Sequence, residues 1–259
     1  MKKNIKTFNF SLILFLYSFI TNAQAYKATY KITYISNLTN SSVRTESGLL
    51  IIKANEGSVY ATKNYFKQDS ILRLVNAGTI SKYDVMNDSY PRTSFKNHIQ
   101  KTYNNQMMVV PTQIIANTYV YSQKNSLNWQ LLPDTSTIKG YKCVKATTTF
   151  EGRDYVAWYS TDIPISDGPH KFWGLPGLII KIADTKNHYT FELESFEKFA
   201  NNFPKFERSD PTFEITYEKF KQLRKDENEN PLKVFQSQGF YPVGESISKP
   251  LNRNIIERF

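Results

Sequence analysis

The chain has 259 residues and a formal net charge of +10, with 40% hydrophobic, 15% aromatic and 22% charged residues. Ten glycines and eleven prolines exclude a collagen-like or low-complexity chain, and the aromatic share argues against disorder. One cysteine, Cys143, and three scattered histidines exclude an intramolecular disulfide framework and any Cys-only or Cys/His zinc site.

The first 25 residues read as a secretory signal peptide. Lys2, Lys3 and Lys6 form a positive start, residues 8–20 (FNFSLILFLYSFI) are an apolar run too short to span a bilayer, and Ala23-Gln24-Ala25 offers small residues for cleavage. Removal takes three lysines and no acid, so +10 becomes +7. No later stretch approaches the roughly 18 apolar residues of a membrane helix, so the mature chain is expected to be exported without a transmembrane segment. It should reside in the periplasm, at the cell surface or in the medium.

Residues 26–35 (YKATYKITYI) alternate, with Tyr26, Ala28, Tyr30, Ile32 and Tyr34 on one face and Lys27, Thr29, Lys31 and Thr33 on the other. Period two in β-formers predicts a half-buried strand. Residues 48–54 and 58–66 flank Asn55-Glu56-Gly57 and predict a hairpin with Gly57 at positive φ. The same grammar recurs in 141–150 and 153–160 around Glu151-Gly152, and in 178–183 followed by 189–193. Residues 105–121 fit a helix or a strand, with Pro111 at an edge, a bend or a helix start. Thr216 is placed to cap a short helix through about Arg224. The expected fold is mainly β, a curved antiparallel sheet or partly open β-barrel with one or two short helices. Residues 26–239 are expected to form one domain, and 240–259, rich in Gly, Ser, Pro and Asn, a loosely held tail.

Three prolines and three glycines fall within residues 163–180 (IPISDGPHKFWGLPGLII) and constrain the backbone path. Two readings follow: a rigid wrap that covers an open barrel end, or the rim of a ligand site. In the second, Phe172, Trp173, Gly174, Leu175, Pro176, Gly177, Leu178 and Ile179 are the candidate binding residues, and Gly177 permits a tight entry into the next strand.

Gly174-Leu175-Pro176-Gly177-Leu178-Ile179 spells the hexapeptide of the GLPGLI family, exported proteins found mainly in Bacteroidetes. The chain also resembles that family at Trp129, at Gly140-Tyr141-Lys142-Cys143, at Ala157-Trp158-Tyr159 and at Asp167-Gly168-Pro169. The resemblance implies export to the cell envelope and, through the usual setting of such proteins, an outer-membrane transport partner. It brings no reaction and no catalytic residue.

Enzymatic chemistry has little support in the pattern. Cys143 and His170, with Asp167 or Asp154 as an orienting acid, are the only nucleophile-base candidates, and a strand cysteine is more simply a buried thiol. No G-x-S-x-G or H-E-x-x-H occurs, and His98, His170 and His188 are too far apart in sequence to suggest a metal site. Glu192 and Glu194 share one strand face, as surface residues do. Asp69-Ser70-Ile71 looks like a short acceptor pattern for O-glycosylation. Export argues against nucleic acid as the partner of the positive charge and favours anionic envelope surface, its glycans or an acidic protein. The reading is a non-enzymatic binding module without cofactor, for an apolar or peptide ligand or an envelope partner; the alternative is an exported hydrolase using Cys143 and His170.

Overall fold

The computed structural model describes residues 24–38, 41–85, 90–95, 98–115, 117–204, 206 and 212–239. The stretch read as a signal peptide and the expected C-terminal tail lie outside these, apart from Gln24 and Ala25. Twelve strands form one sheet: β1 (Ala25–Ile35), β2 (Val43–Lys53), β3 (Gly57–Thr62), β4 (Ile99–Thr102), β5 (Met107–Ile114), β6 (Asn117–Lys124), β7 (Gln130–Ile138), β8 (Tyr141–Phe150), β9 (Arg153–Ser160), β10 (Leu178–Asp184), β11 (Tyr189–Lys198) and β12 (Thr212–Glu214). Their order is β12-β6-β5-β4-β3-β2-β1-β11-β10-β9-β8-β7. Every pairing is antiparallel except β12 with β6. The mainly β architecture expected from the periodicity is therefore present, as an open sheet.

The connection from β6 to β7 forces this sheet to curl. The two strands stand ten places apart in the order, which across a flat sheet is about 48 Å at ~4.8 Å per strand. Residues 125–129 allow six Cα steps between Lys124 and Gln130, at most about 22 Å when fully extended. The two ends of the sheet must approach each other, leaving a seam.

The alternation in β1 is realised: Ala28, Tyr30 and Ile32 have no exposed surface and Tyr34 is 3% exposed, while Lys31 faces solvent. β3 is buried at all six positions. Tyr60 joins the main core, and Val59 and Ala61 lie on the other face, where α1 (Lys63–Asn76) packs against β2 and β3. α1 replaces the expected end of that strand at 63–66. Thr62 caps it, accepting a hydrogen bond from Tyr65 N at 3.1 Å. Tyr65 and Phe66 are strong β-formers, and no α1 residue is fully buried, so no apolar stripe announced the helix.

Gly57 does not take positive φ; Asn55, at φ 64°, turns the chain. Gly57 is required for close approach instead, since a Cβ there would stand 2.1 Å from the Lys101 carbonyl oxygen. Residues 105–121 resolve into the β5–β6 hairpin. Pro111 pairs with Val120 on β6, and β4 ends its pairing at Val109, so the missing N–H falls on a local edge. At 151–152 both Glu151 (φ 48°) and Gly152 (φ 72°) are left-handed, which makes a two-residue hairpin turn.

Among the described residues four helices stand where one or two were expected: α1, a single turn α2 (Lys82–Val85), α3 (Tyr217–Glu229) and α4 (Pro231–Ser237). Thr216 caps α3 as expected, through Lys219 N at 3.2 Å, but the helix continues past Arg224 to Glu229. Arg224 bonds Glu227 at 2.6 Å and Thr112 on β5 at 2.9 Å, tying that extra turn to the sheet.

Candidate functional site

The loop between β9 and β10 turns inward. Phe172, Trp173 and Leu175 are each 1% exposed, and Leu178 and Ile179 are fully buried. Gly177 is buried too, and a Cβ on it would stand 2.2 Å from the Ser160 carbonyl oxygen. Among the eight candidate binding residues only Gly174 and Pro176 are exposed. The arrangement is that of a wrap over the apolar side of the sheet. Trp129, on the linker that spans the seam, donates its indole N–H to the Trp173 carbonyl at 2.8 Å, which ties loop to seam.

Three buried ion pairs fix this interior. Lys101 on β4 reaches Asp167 at 2.7 Å, neither side chain being exposed, and also donates to the Gly168 carbonyl at 2.8 Å. Tyr103 donates to the second Asp167 oxygen at 2.5 Å. Lys171 donates to both Glu151 oxygens, at 2.9 and 3.2 Å, beneath the rings of Tyr121, Phe150 and Phe220. Arg153 bonds Asp184 at 3.1 Å and lies over the Tyr189 ring. A buried charge is tolerable only when paired and hydrogen-bonded, and each of these is. Burial pushes the Lys101 ammonium below its usual value, with Asp167 opposing the shift. Burial and the Asp167 charge push the Tyr103 hydroxyl far up.

Cys143 and His170 are both buried and stand in different surroundings. The Cys143 thiol contacts the Tyr141 carbonyl at 3.4 Å, and burial pushes its pKa up. His170 is ringed by Tyr60, Phe95, Phe172 and Phe191 at centroid distances of 6.1 to 6.3 Å. Among the described contacts none joins the two. Ser70 lies exposed on α1, with its hydroxyl bonded to the Phe66 carbonyl at 2.9 Å.

The seam holds a cleft of about 460 Å³, lined by Gln123 and Ser126 on one side, Thr149 to Gly152 on another, and Tyr217 and Lys221 of α3 on the third. Glu151 lines it, held by the buried Lys171 and by Tyr217, which donates to Glu151 at 2.7 Å. Burial and then the Glu151 charge push the Tyr217 hydroxyl well up. Gln123 is 9% exposed, and its carbonyl oxygen is buried without a hydrogen-bond partner among the described residues.

Two stretches of strand edge border this cleft. The β8–β9 hairpin overruns β7, whose pairing with β8 ends at Gln130↔Thr147. Thr149 lies opposite Asp154, and the Asp154 carbonyl points away from β8 to accept from Thr185 N at 2.9 Å. By antiparallel alternation the Thr149 main-chain groups point the other way, to the side where β7 has ended and where the linker residue Asn128 accepts from Thr148 Oγ1 at 2.9 Å. Across the seam β12 pairs with Thr118 to Val120 of β6, so among the described residues β6 from Tyr121 to Lys124 has no strand on that edge.

Comparison with known proteins gives little beyond this architecture. A family profile described as "Protein of unknown function (Porph_ging)" matches residues 151–181, a span that contains the hexapeptide and falls well short of half the chain. No curated protein matches the sequence. PNGF-II, solved in the P21 and C2 space groups, is 13% and 14% identical with TM-scores of 0.56 and 0.55, covering 80% of this chain. The chain spans about a third of that protein's length, 34%, so the likeness is one of fold. A LolA superfamily protein, NE2245 from Nitrosomonas europaea, is 10% identical over 71% of this chain and 91% of its own, at a TM-score of 0.30.

Among the described residues no helix is long and apolar enough to cross a membrane, and no group of three or more His, Cys, Asp or Glu could hold a metal. The residues that sequence reasoning missed are the charges of the interior. Ile99 and Lys101 share a face of β4, and Arg153, Tyr155 and Ala157 share a face of β9. A charged residue in phase with core positions is the signal that marked them.

Proposed function

We propose that this chain is an exported, non-enzymatic binding module of the GLPGLI type, with residues 26–239 acting as one unit, that holds an extended peptide segment of a ligand or envelope partner in the seam cleft. The overrun of β8 past β7 carries the reading. It leaves Thr149 with main-chain donor and acceptor facing the cleft, beside the buried Gln123 carbonyl that needs a donor. A peptide backbone supplies both kinds of partner, as in strand addition at a sheet edge. Phe150 and Tyr217 add apolar surface for its side chains.

A peptide suits the interior better than a large apolar ligand, because Phe172, Trp173 and Leu175 already fill the apolar side of the sheet. In this reading the hexapeptide loop builds the site rather than touching the ligand. Native mass spectrometry of the mature protein from its own periplasm tests it. A peptide or protein adduct that is lost in Ser126→Trp, with the circular dichroism spectrum retained, is the expected result. An adduct that survives filling of the cleft, or a lipid adduct, overturns the reading.

A further inference from the structure

The outer face of the sheet carries an ordered row of charges that the seam cleft does not use. Register places Lys145 on β8 beside Trp158 on β9, Trp158 beside Lys181 on β10, Lys181 beside Glu192 on β11, and Glu192 beside Lys31 on β1. Their neighbours in sequence, such as Ala146, Ala157, Ile182, Phe191 and Ile32, are buried, which puts the row on the other face of the sheet, with Trp158 partly buried and also packed against core residues. Lys139, on the β7–β8 turn, joins the row through Glu192 at 3.4 Å.

The row has four lysines and two acids. Glu192 is shared by Lys181 at 3.2 Å and Lys139 at 3.4 Å, and Asp134 faces Lys145 at 3.4 Å. Lys31 is exposed and has no ion pair among the described residues. Burial raises the Glu192 pKa and the hydrogen bonds and charges of Lys181 and Lys139 outweigh it, so the net shift is downward. Trp158 is half-buried, and the Lys145 ammonium lies 5.9 Å from its ring centroid. The neighbouring row, Thr147, Val156, Ala183, Thr190 and Thr33, is low and rich in hydroxyls.

We propose that this outer face binds an acidic polysaccharide. Lys145, Lys181 and Lys31 sit on alternate strands, so their charges recur about every 10 Å along a rigid row. That spacing fits a polymer with regularly repeated anionic groups. Trp158 in the middle of the row offers a ring for a sugar face, and the threonine row offers hydroxyls for its oxygens.

The test is binding of the full mature protein to polygalacturonate, with neutral dextran and a single-stranded DNA oligonucleotide as comparison polymers. The expected result is salt-sensitive binding to polygalacturonate that quenches tryptophan fluorescence and exceeds binding to either comparison polymer. Lys31→Gln, Lys145→Gln and Lys181→Gln together should weaken it roughly tenfold. Lys31→Glu alone, at an exposed position, should weaken it in the same direction without disturbing the fold. Equal loss on replacing Lys63, Lys67 and Lys219 elsewhere on the surface, tighter binding to DNA, or no change in either row variant overturns the proposal.

Discussion

Lys101 and Asp167, 66 residues apart in sequence, meet at 2.7 Å with neither side chain exposed. The pair pins the hexapeptide loop to β4, on the far side of the sheet from the strands that the loop connects. Asp167→Asn should leave a buried ammonium without its counter-charge and cost about 3 to 5 kcal/mol, read as a lower urea midpoint at an unchanged slope. Lys101→Met combined with Asp167→Asn should recover much of the loss, because the uncompensated charge is then gone. Additive losses would mean that the two side chains contribute separately.

Alkaline pH should unfold this protein more readily than its overall charge suggests. Burial pushes the Tyr34 hydroxyl up to about 12 and also raises those of Tyr30, Tyr60, Tyr103 and Tyr217. A group whose pKa is raised on folding contributes stability that is complete below its unfolded value, near 10, and is lost as pH climbs through the folded value. Lys101, lowered by burial, works in the opposite sense, and five tyrosines outweigh one lysine. Stability should therefore fall from about pH 10 upward. Tyrosinate absorbance should rise together with loss of the circular dichroism signal; tyrosine ionisation in a fully folded protein would contradict the burial.

How much of this was legible beforehand differs by element. The β1 alternation, the 141–160 hairpin and the Thr216 cap are local, and local residues decide them. α1 was hidden because Tyr65 and Phe66 favour strands and the helix buries no side chain completely. The seam was hidden for another reason: it depends on which strands pair, and strand order is set by contacts far apart in sequence. The loop illustrates both cases. Its Pro and Gly pattern signalled a fixed path, yet nothing local showed that Asp167 would find Lys101, or that Lys171 would find Glu151.

Glycine at 177 serves packing of backbone on backbone. Gly177→Ala should place a methyl within 2.2 Å of the Ser160 carbonyl, a main-chain atom that cannot rotate away. Separation of β9 from the start of β10 should cost at least about 1 to 3 kcal/mol, the range for overpacking. Gly140→Ala meets open space, though at φ +84°, and should cost less, about 1 kcal/mol of backbone strain. Thermal melts of the two variants rank them, and equal shifts would show that the contact at Gly177 relaxes without difficulty.

Cys143 provides a direct check on the thiol chemistry of the hydrolase alternative. The side chain is 2% exposed, its sulfur contacts the Tyr141 carbonyl, and burial holds the thiol in its protonated form. Reaction with a thiol reagent needs a thiolate and access to it, and here both require opening of the β7–β8 end of the sheet. Modification by iodoacetamide at pH 7.5 should thus be at least about a hundredfold slower in the native protein than in urea. Cys143→Ala should bind the same ligand as the unaltered chain. Rapid native alkylation, at a rate that rises with pH through the neutral range, would instead mark an exposed and acidic thiol and return Cys143 to the list of reactive groups.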